Sequence, residues 1–186
     1  MKRSKITILL AIVLGMTFHS CLDLEPQDQL GGKNMWTSVN DYKQFANTFY
    51  SWTRDFSSVV YDGTHSDKRS DLITYQSYNE FSRGINSIPS SDANYTDNYK
   101  HIRRTNLLLQ NAEAYAKPED IKQYIGEAYF FRAYSYFDLL QLYGDVIITK
   151  KPLDITDPEM KVKRNDRSEV VDLITVSYTH LTLPTT

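Results

Sequence analysis

Cys21 is the residue whose position gives the clearest chemical prediction, because it is the single cysteine in a chain of 186 residues. Three positive charges within residues 2–5 precede a nearly continuous apolar run over residues 6–16. A run of about 11 residues is too short to cross a bilayer, which needs about 20. A charged start followed by a short apolar run is typical of a secretory signal. Residues 1–20 are therefore predicted to be an export signal.

The pair Ser20-Cys21 places a small residue directly before the cysteine and resembles a bacterial lipobox. The resemblance implies that Cys21 is lipidated on sulfur, that the signal is cut before it, and that its new amine is acylated. Three acyl chains exceed the two signals that stable membrane anchoring requires. Residues 21–35 are then an acylated N-terminus and a polar tether. The alternative is a free cysteine near an ordinary cleavage site.

Residues 51–92 are rich in Ser, Asp, Asn and Tyr and have weak periodicity. They are predicted to form a long irregular segment, and long loops in compact domains are often functional. Aromatic faces can stack on the apolar faces of sugars, and nearby carboxylates can bind hydroxyls. The candidate ligand-binding residues are Trp52, Tyr61, Asp71, Tyr75 and Tyr78. The alternative is that these side chains pack the loop onto the helices.

Catalytic and cofactor motifs have little support in the sequence. Gly31-Gly32 lacks the spacing and context of a phosphate loop or a dinucleotide fingerprint. His65 with Asp67 and Asp71 could be drawn as a metal site, but scattered polar residues in a loop more often face solvent. No two acids are placed at the separation that a glycosidase pair requires. The chain is predicted to be a binding protein without cofactor or metal, with a glycosidase as an alternative.

The charge balance argues against nucleic-acid binding. The chain has 21 basic and 23 acidic residues, and three of the basic ones lie in residues 1–20, so the remainder carries 18 against 23. Phosphate contacts require clustered Lys and Arg. The one short basic cluster, within residues 161–167, is flanked by acids and is interpreted as a solvated loop.

Most of the remaining chain has the apolar periodicity of α-helices. A first helix is predicted to start near Ser38, which can act as N-cap with Asp41 in the first turn. Its apolar positions are Tyr42, Phe45, Ala46, Phe49 and Tyr50. A second helix is predicted from about residue 93 to residue 116. Its apolar stripe is Tyr95, Tyr99, Ile102, Asn106 and Leu109. The buried amide of Asn106 needs hydrogen-bond partners, and a neighbouring backbone is favoured over a ligand.

A third helix is predicted from Pro118, which suits a first helical position, to about Tyr143, with Gly144 as its C-cap. One broad face is expected to be buried: Ile121, Ile125, Ala128, Arg132, Ala133, Tyr136, Phe137 and Leu140. The second and third helices are joined by a short turn, so they are predicted to form an antiparallel pair. Fragments of this pair echo the tetratricopeptide pattern.

Beyond the third helix, residues 146–148 are predicted to be extended and residues 149–167 to form a loop. Asp166 or Ser168 can cap a fourth helix through residues 170–174. The predicted fold class is mainly α: stacked antiparallel helical hairpins, tetratricopeptide-like, with long irregular loops.

A specific motif begins with Gly126-Glu127-Ala128-Tyr129 and ends with Tyr143-Gly144-Asp145-Val146. This motif and several other stretches, in the right order, resemble the N-terminal part of SusD/RagB-type nutrient-binding lipoproteins of the outer membrane. Further similar stretches are residues 21–26, 36–50, 99–106 and 167–174. The resemblance covers residues 21 to about 175, and family members are far longer.

The resemblance implies a lipoprotein on the outer surface of the outer membrane that binds glycans or other nutrients. It implies that the cargo passes to a SusC-like TonB-dependent transporter, and that the protein is not an enzyme. Arg132 and Glu127 on the most specific helix are interpreted as structural. The alternative from another class is a structural envelope lipoprotein that uses its helical hairpins for protein–protein contacts.

These predictions divide the chain into a signal (1–20), a tether (21–35), an incomplete SusD-like helical domain (36–175) and a tail (176–186). In the tail, several Thr residues and Pro184 disfavour a helix. The tail resembles foreign sequence joined to an interrupted reading frame, so it is predicted to be non-native.

Overall fold

Four α-helices dominate the part of the protein that can be described. The computed structural model describes residues 35–54, 84–85, 87–154 and 156–179. The α-helices are α1 (Val39–Asn47), α2 (Ala93–Glu113), α3 (Lys122–Tyr143) and α4 (Arg167–Thr179). Short 3-10 helices lie at Thr48–Trp52, Pro118–Ile121 and Pro158–Lys161. Within the described ranges, β-structure is limited to one bridge between Val146 and Asn165. The predicted mainly helical fold class is confirmed.

Helix α1 begins at a capping box, as predicted from Ser38 and Asp41. Ser38 Oγ accepts the N–H of Asp41 at 3.3 Å, and Asp41 Oδ2 accepts the N–H of Ser38 at 2.8 Å. Burial tends to raise the pKa of Asp41, but the hydrogen bonds from Ser38 and Thr37 outweigh it and lower the pKa. The charged carboxylate therefore holds the helix start, where unpaired N–H groups favour negative charge.

The buried face of α1 and of the 3-10 helix Thr48–Trp52 is aromatic and joins these elements to both members of the following hairpin. Tyr42 and Phe49 are fully buried. The hydroxyl of Tyr42 donates to the carbonyl of Asn111, near the end of α2, at 3.0 Å. The ring of Phe49 meets that of Phe131, in the middle of α3, at 5.7 Å between centroids. Helix α1 therefore closes one end of the core.

Helices α2 and α3 form the predicted antiparallel hairpin. Tyr95 in the first turn of α2 meets Tyr143 at the end of α3, with ring centroids 5.2 Å apart. Nearer the turn that joins the two helices, Asn106 on α2 accepts a hydrogen bond from Arg132 on α3 at 3.1 Å. These contacts pair the two helices in reverse order. Pro118 starts a 3-10 turn, where its missing N–H costs nothing.

Helix α4 packs antiparallel to α3, which makes α3 the central helix. Phe130 contacts Tyr178 at 5.9 Å between ring centroids, and Gly144 lies against the side chain of Arg167. The shared core consists of Ile102, Ala133, Tyr136, Leu139, Val146, Val170 and Ile174. Val146 brings the extended segment after α3 into this core.

Two predicted burial patterns were wrong. Phe137 was predicted on the buried face of α3 but is 42% exposed, whereas Leu139 and Phe131, outside that face, are 0% and 2% exposed. Because α3 contacts helices on more than one side, its apolar residues do not form a single stripe. Tyr50 is 52% exposed, because the chain tightens into the 3-10 helix Thr48–Trp52 and leaves the helical period on which the prediction relied.

The start of α4 is held by Asp166, one of the two predicted caps. Its carboxylate accepts hydrogen bonds from the hydroxyl and from the N–H of Ser168, the latter at 2.8 Å. These two hydrogen bonds lower the pKa of Asp166. The helix continues to Thr179, so the prediction that helical structure stops before residue 176 was wrong. Packing of Tyr178 on α3 outweighs the low helix propensity of the local sequence. The non-native origin of residues 176–186 stays a prediction.

Candidate functional site: a cleft beside an extended segment

Residues 146–151 follow α3 and are called the extended segment; the chain is extended over residues 146–149 and bends at residues 150 and 151. Helix side chains bind the peptide groups of this segment. The hydroxyl of Tyr99 accepts the N–H of Ile147 and donates to the carbonyl of the same residue, both at 2.9 Å. The hydroxyl of Tyr136 accepts the N–H of Thr149 at 2.7 Å and lies 3.2 Å from its carbonyl oxygen. Burial raises the pKa of both phenols, which keeps them protonated and able to donate. These tyrosines replace the neighbouring strand of a sheet.

Asn106 extends this pattern along the segment. Its amide nitrogen donates to the carbonyls of Thr149 at 2.9 Å and Lys151 at 3.3 Å. Its carbonyl oxygen accepts from Arg132 Nη1 at 3.1 Å. The guanidinium of Arg132 also lies over the ring of Tyr129, 4.9 Å from its centroid. The prediction that the Asn106 amide binds neighbouring backbone is confirmed. The structural role of Arg132 stays a prediction, which its contacts with Asn106 and Tyr129 support.

The opposite edge of the segment is bound by Asn165, just before α4. The N–H of Asn165 donates to the carbonyl of Val146 at 2.9 Å. Asn165 Oδ1 accepts the N–H of Ile148 at 2.9 Å. Alternate residues of the segment therefore bind opposite neighbours, as the two-residue repeat of a strand requires. The segment is fixed between the hairpin and the entry to α4.

A cleft of about 430 Å³ opens beside this fixed segment. Its walls come from the first half of α2, from the extended segment and from the 3-10 helix Pro158–Lys161. The apolar wall residues are Tyr95, Tyr99, Ile147, Leu153 and Met160. The rings of Tyr95 and Tyr99 are 4.8 Å apart and tilted by 48°. Ligand sites in proteins have volumes of about 300–1,000 Å³ and mostly apolar walls, so this cleft has the dimensions of such a site.

Charged residues at the rim of the cleft occur as pairs. Lys151 Nζ lies 2.7 Å from Glu159 Oε1, and this hydrogen bond raises the pKa of Lys151. Arg103 Nη2 lies 3.5 Å from Asp154 Oδ1, and Arg103 Nε also donates to the carbonyl of Leu153 at 3.1 Å. The rim therefore offers donors and acceptors side by side.

Of the candidate ligand-binding residues, only Trp52 lies within the described ranges. It is half-buried at the end of the 3-10 helix Thr48–Trp52. Tyr61, Asp71, Tyr75 and Tyr78 lie outside the described residues, as does Cys21. The ligand role of all five aromatic and acidic candidates stays a prediction.

Trp52 belongs to the aromatic contacts between α1, α2 and α3. Its indole stacks on the imidazole of His101, with ring centroids 4.1 Å apart and an interplanar angle of 14°. It also meets Phe49 at 4.6 Å and Phe131 at 5.8 Å. Burial lowers the pKa of His101, which favours its neutral form against the indole. This geometry favours the packing alternative for Trp52.

The cleft was not predicted from the sequence. Tyr95 and Tyr99 were assigned to the buried stripe of α2, but both side chains also line the cleft. Arg103 and Asp154 are far apart in sequence, as are Tyr99 and Ile147, so no spacing pattern indicates their contact. The available signal was a β-type apolar run at residues 146–148 without a second strand to pair with.

The antiparallel packing of α2, α3 and α4 defines the class of this protein: a helical domain with tetratricopeptide-like architecture. Residues 22–181 match the SusD-like family model, which is described as starch-binding and associating with the outer membrane. The match covers most of the chain, and the chain therefore belongs to the SusD-like family. The resemblance in sequence is confirmed.

Relatives agree with this assignment. SusD-like protein P38 of Formosa agariphila is 28% identical, over 93% of this chain and 36% of that protein. A crystal structure of a SusD-like protein from Bacteroides fragilis shares the fold with a TM-score of 0.64 and 23% identity, over 85% of this chain and 32% of that chain. The chain thus spans about a third of the length of these relatives. No helix among the described residues has the length and apolarity needed to cross a membrane.

Proposed function

We propose that this protein is a cell-surface lipoprotein of the outer membrane that binds glycans or other nutrients and passes them to a SusC-like TonB-dependent transporter. The observation that carries the proposal is the match of residues 22–181 to a family described as starch-binding and associating with the outer membrane. The tightly fixed hairpins support a binding role, because they form a rigid scaffold on which loops can present a ligand site.

Attachment to the membrane is assigned to Cys21. The family match starts at Leu22, directly after this cysteine. This start supports the proposal that the mature protein begins at Cys21. Radiolabelled palmitate should enter the wild-type protein and not a Cys21→Ala variant, and the variant should leave the membrane fraction on washing. Equal labelling, or equally firm retention of both, contradicts the anchor. Protease treatment of whole cells tests surface exposure, since an outward-facing domain is cleaved without lysis.

Glycan binding is tested with the intact protein by affinity electrophoresis in gels that contain a polysaccharide. A bound glycan retards the protein relative to a gel without it. The segment with Tyr61, Asp71, Tyr75 and Tyr78 is proposed to contribute ligand contacts, whereas Trp52 is assigned to packing. Alanine at Tyr75 or Tyr78 should reduce retardation, whereas alanine at the exposed Tyr50 serves as an aromatic control. Unchanged retardation in the loop variants refutes this placement.

The alternative function is a structural envelope lipoprotein that makes only protein contacts. Exposed apolar side chains on α3 and α4, including Phe137 and Val171, favour such contacts. Purification of the tagged intact protein from outer membranes should recover a TonB-dependent transporter if the proposal holds. Recovery of a stable complex without retardation by any glycan favours the structural alternative. Release of reducing sugar by the purified protein is the result that would establish a glycosidase instead.

A further inference from the structure

The cleft beside residues 146–151 has a rigid wall. Ile147 and Thr149 contribute to this wall, and both have their peptide groups bound by tyrosine hydroxyls from the helices. Lys151, at the end of the same segment, is fixed through its carbonyl by Asn106. Because this wall is already ordered, less conformational entropy is lost when a ligand binds.

The charges around the cleft are balanced. Lys151 is paired with Glu159 at 2.7 Å, and Arg103 with Asp154 at 3.5 Å. The remaining lining cation, Lys100, is paired with Asp97 at 2.8 Å. Each cation among the described lining residues therefore already has a carboxylate beside it. A charged ligand would have to displace or face one of these carboxylates, so the rim does not favour an anion.

The polar groups of the rim suit hydroxyl groups. An ammonium has three N–H donors, and a carboxylate can accept about four hydrogen bonds. The pair Lys151–Glu159 therefore keeps donors and acceptors that are directed to solvent, since both side chains are about half exposed. A hydroxyl both donates and accepts, so it can bind between the two charges. The rings of Tyr95 and Tyr99 supply apolar surface below this rim.

We infer that this cleft is a binding subsite for an uncharged, hydroxyl-rich saccharide, held by the tyrosine wall and by the rim pairs Lys151–Glu159 and Arg103–Asp154. The inference rests on the proposed binding function and names a site and a ligand class for it. The subsite lies on α2, the extended segment and Pro158–Lys161. It selects neutral saccharides over uronic acids or sulfated sugars.

The test uses isothermal titration of the intact protein with neutral and anionic oligosaccharides. The neutral probes are maltoheptaose, cellohexaose and xylohexaose, and the anionic probes are oligogalacturonide and oligoalginate. The double variant Lys151→Ala, Glu159→Ala removes one rim pair without a change in net charge. The matched control is Lys122→Ala, Glu119→Ala, another exposed Lys–Glu pair, 3.6 Å apart and outside the cleft.

We expect a neutral probe to bind, with affinity about tenfold weaker in the rim variant, equal to about 1.4 kcal/mol, and unchanged in the control. A bound glycan whose affinity is the same in both variants overturns the subsite and leaves the proposed function intact. Preference for an anionic probe overturns the ligand class. Binding of none of the probes, together with no retardation in affinity gels, overturns the proposed function itself.

Discussion

Asn106 connects three parts of the described structure. Its amide connects α2, α3 and the extended segment through hydrogen bonds to Thr149, Lys151 and Arg132. Sequence periodicity placed this polar residue on a buried stripe, and the need to satisfy its amide predicted backbone partners. Which backbone it binds could not be predicted, because Thr149 is more than 40 positions away and no local rule connects the two.

Replacing Asn106 by Ala should lower the free energy of unfolding by about 2–4 kcal/mol, because the Lys151 carbonyl and Arg132 Nη1 lose their partner and the Thr149 carbonyl loses one of its two donors. Urea denaturation followed by circular dichroism measures the change. The control is Asn98→Ala: Asn98 is also buried in α2, but its amide donates to Asn94 of its own helix. Equal losses in both variants would show that Asn106 does not connect the elements.

The carboxylate of Asp92 is expected to make the stability of the protein depend on pH. The hydrogen bond from the Tyr143 hydroxyl, at 2.6 Å, together with those from Asn94, lowers the pKa of Asp92 below its usual 3.8. A lowered folded-state pKa stabilises the fold above the unfolded value, and this stabilisation is lost as pH falls through the folded pKa. The stability difference between wild type and Asp92→Asn should therefore be largest near neutral pH and shrink below about pH 4.

Stability curves of both proteins, measured at several pH values from neutral to acid, check the sign. Tyr143→Phe should also weaken the acid-side dependence, since it removes the strongest hydrogen bond to the carboxylate. A difference between wild type and Asp92→Asn that stays constant across this range contradicts the assignment.

The helices show which elements can be predicted from local sequence. The capping box at Ser38 and the stop at Gly144 depend on residues within one helical turn, and both were predicted correctly. Burial around α3 was predicted less well, because a central helix has neighbours on several sides and its apolar pattern is not a single stripe. The candidate cleft joins α2 to residues about 50 positions later, so neither element predicts it alone.

Gly144 ends α3 with φ of +72° and ψ of −108°. Residues that carry a Cβ rarely adopt this backbone conformation. Gly144→Ala should cost about 1–2 kcal/mol of stability because of backbone strain. A new Cβ would also lie 2.9 Å from Arg167 Nη2, but that group is the end of a flexible side chain and can move away. The free energy of unfolding, from denaturant titration, measures the cost.

The variant Arg167→Ala separates the two causes. If strain dominates, Gly144→Ala should cost nearly as much in the Arg167→Ala background as in the wild type. Full recovery of stability in that background would show that the contact with the guanidinium, and not the backbone, sets the cost.

At the scale of the whole molecule, α1 and the 3-10 helix Thr48–Trp52 that follows it are attached to the hairpin through aromatic rings. Phe131 on α3 meets Phe49 at 5.7 Å, Tyr50 at 5.2 Å and Trp52 at 5.8 Å. The two tryptophans of the chain, Trp36 and Trp52, both lie at this end of the core, where Trp36 contacts Tyr42 and Phe45. Tryptophan fluorescence therefore reports on the attachment of α1.

Phe131→Ala should destabilise the protein by about 3–5 kcal/mol, since it removes a buried ring and leaves a cavity. The tryptophan emission should shift to longer wavelength as α1 loosens. Phe137→Ala on the same helix is the matched control, because Phe137 is 42% exposed and its loss should cost about 1 kcal/mol or less. Emission unchanged by Phe131→Ala would show that α1 is held by other contacts.

The extended segment after α3 has a consequence for how copies of this protein behave at high concentration. Val146, Ile147 and Ile148 form a strongly β-prone run, and an open edge of this kind recruits strands from other chains and promotes aggregation. Here the peptide groups on both edges are occupied, by Tyr99 and Tyr136 on one and by Asn165 on the other. The phenol and amide groups therefore act as caps against intermolecular strand pairing.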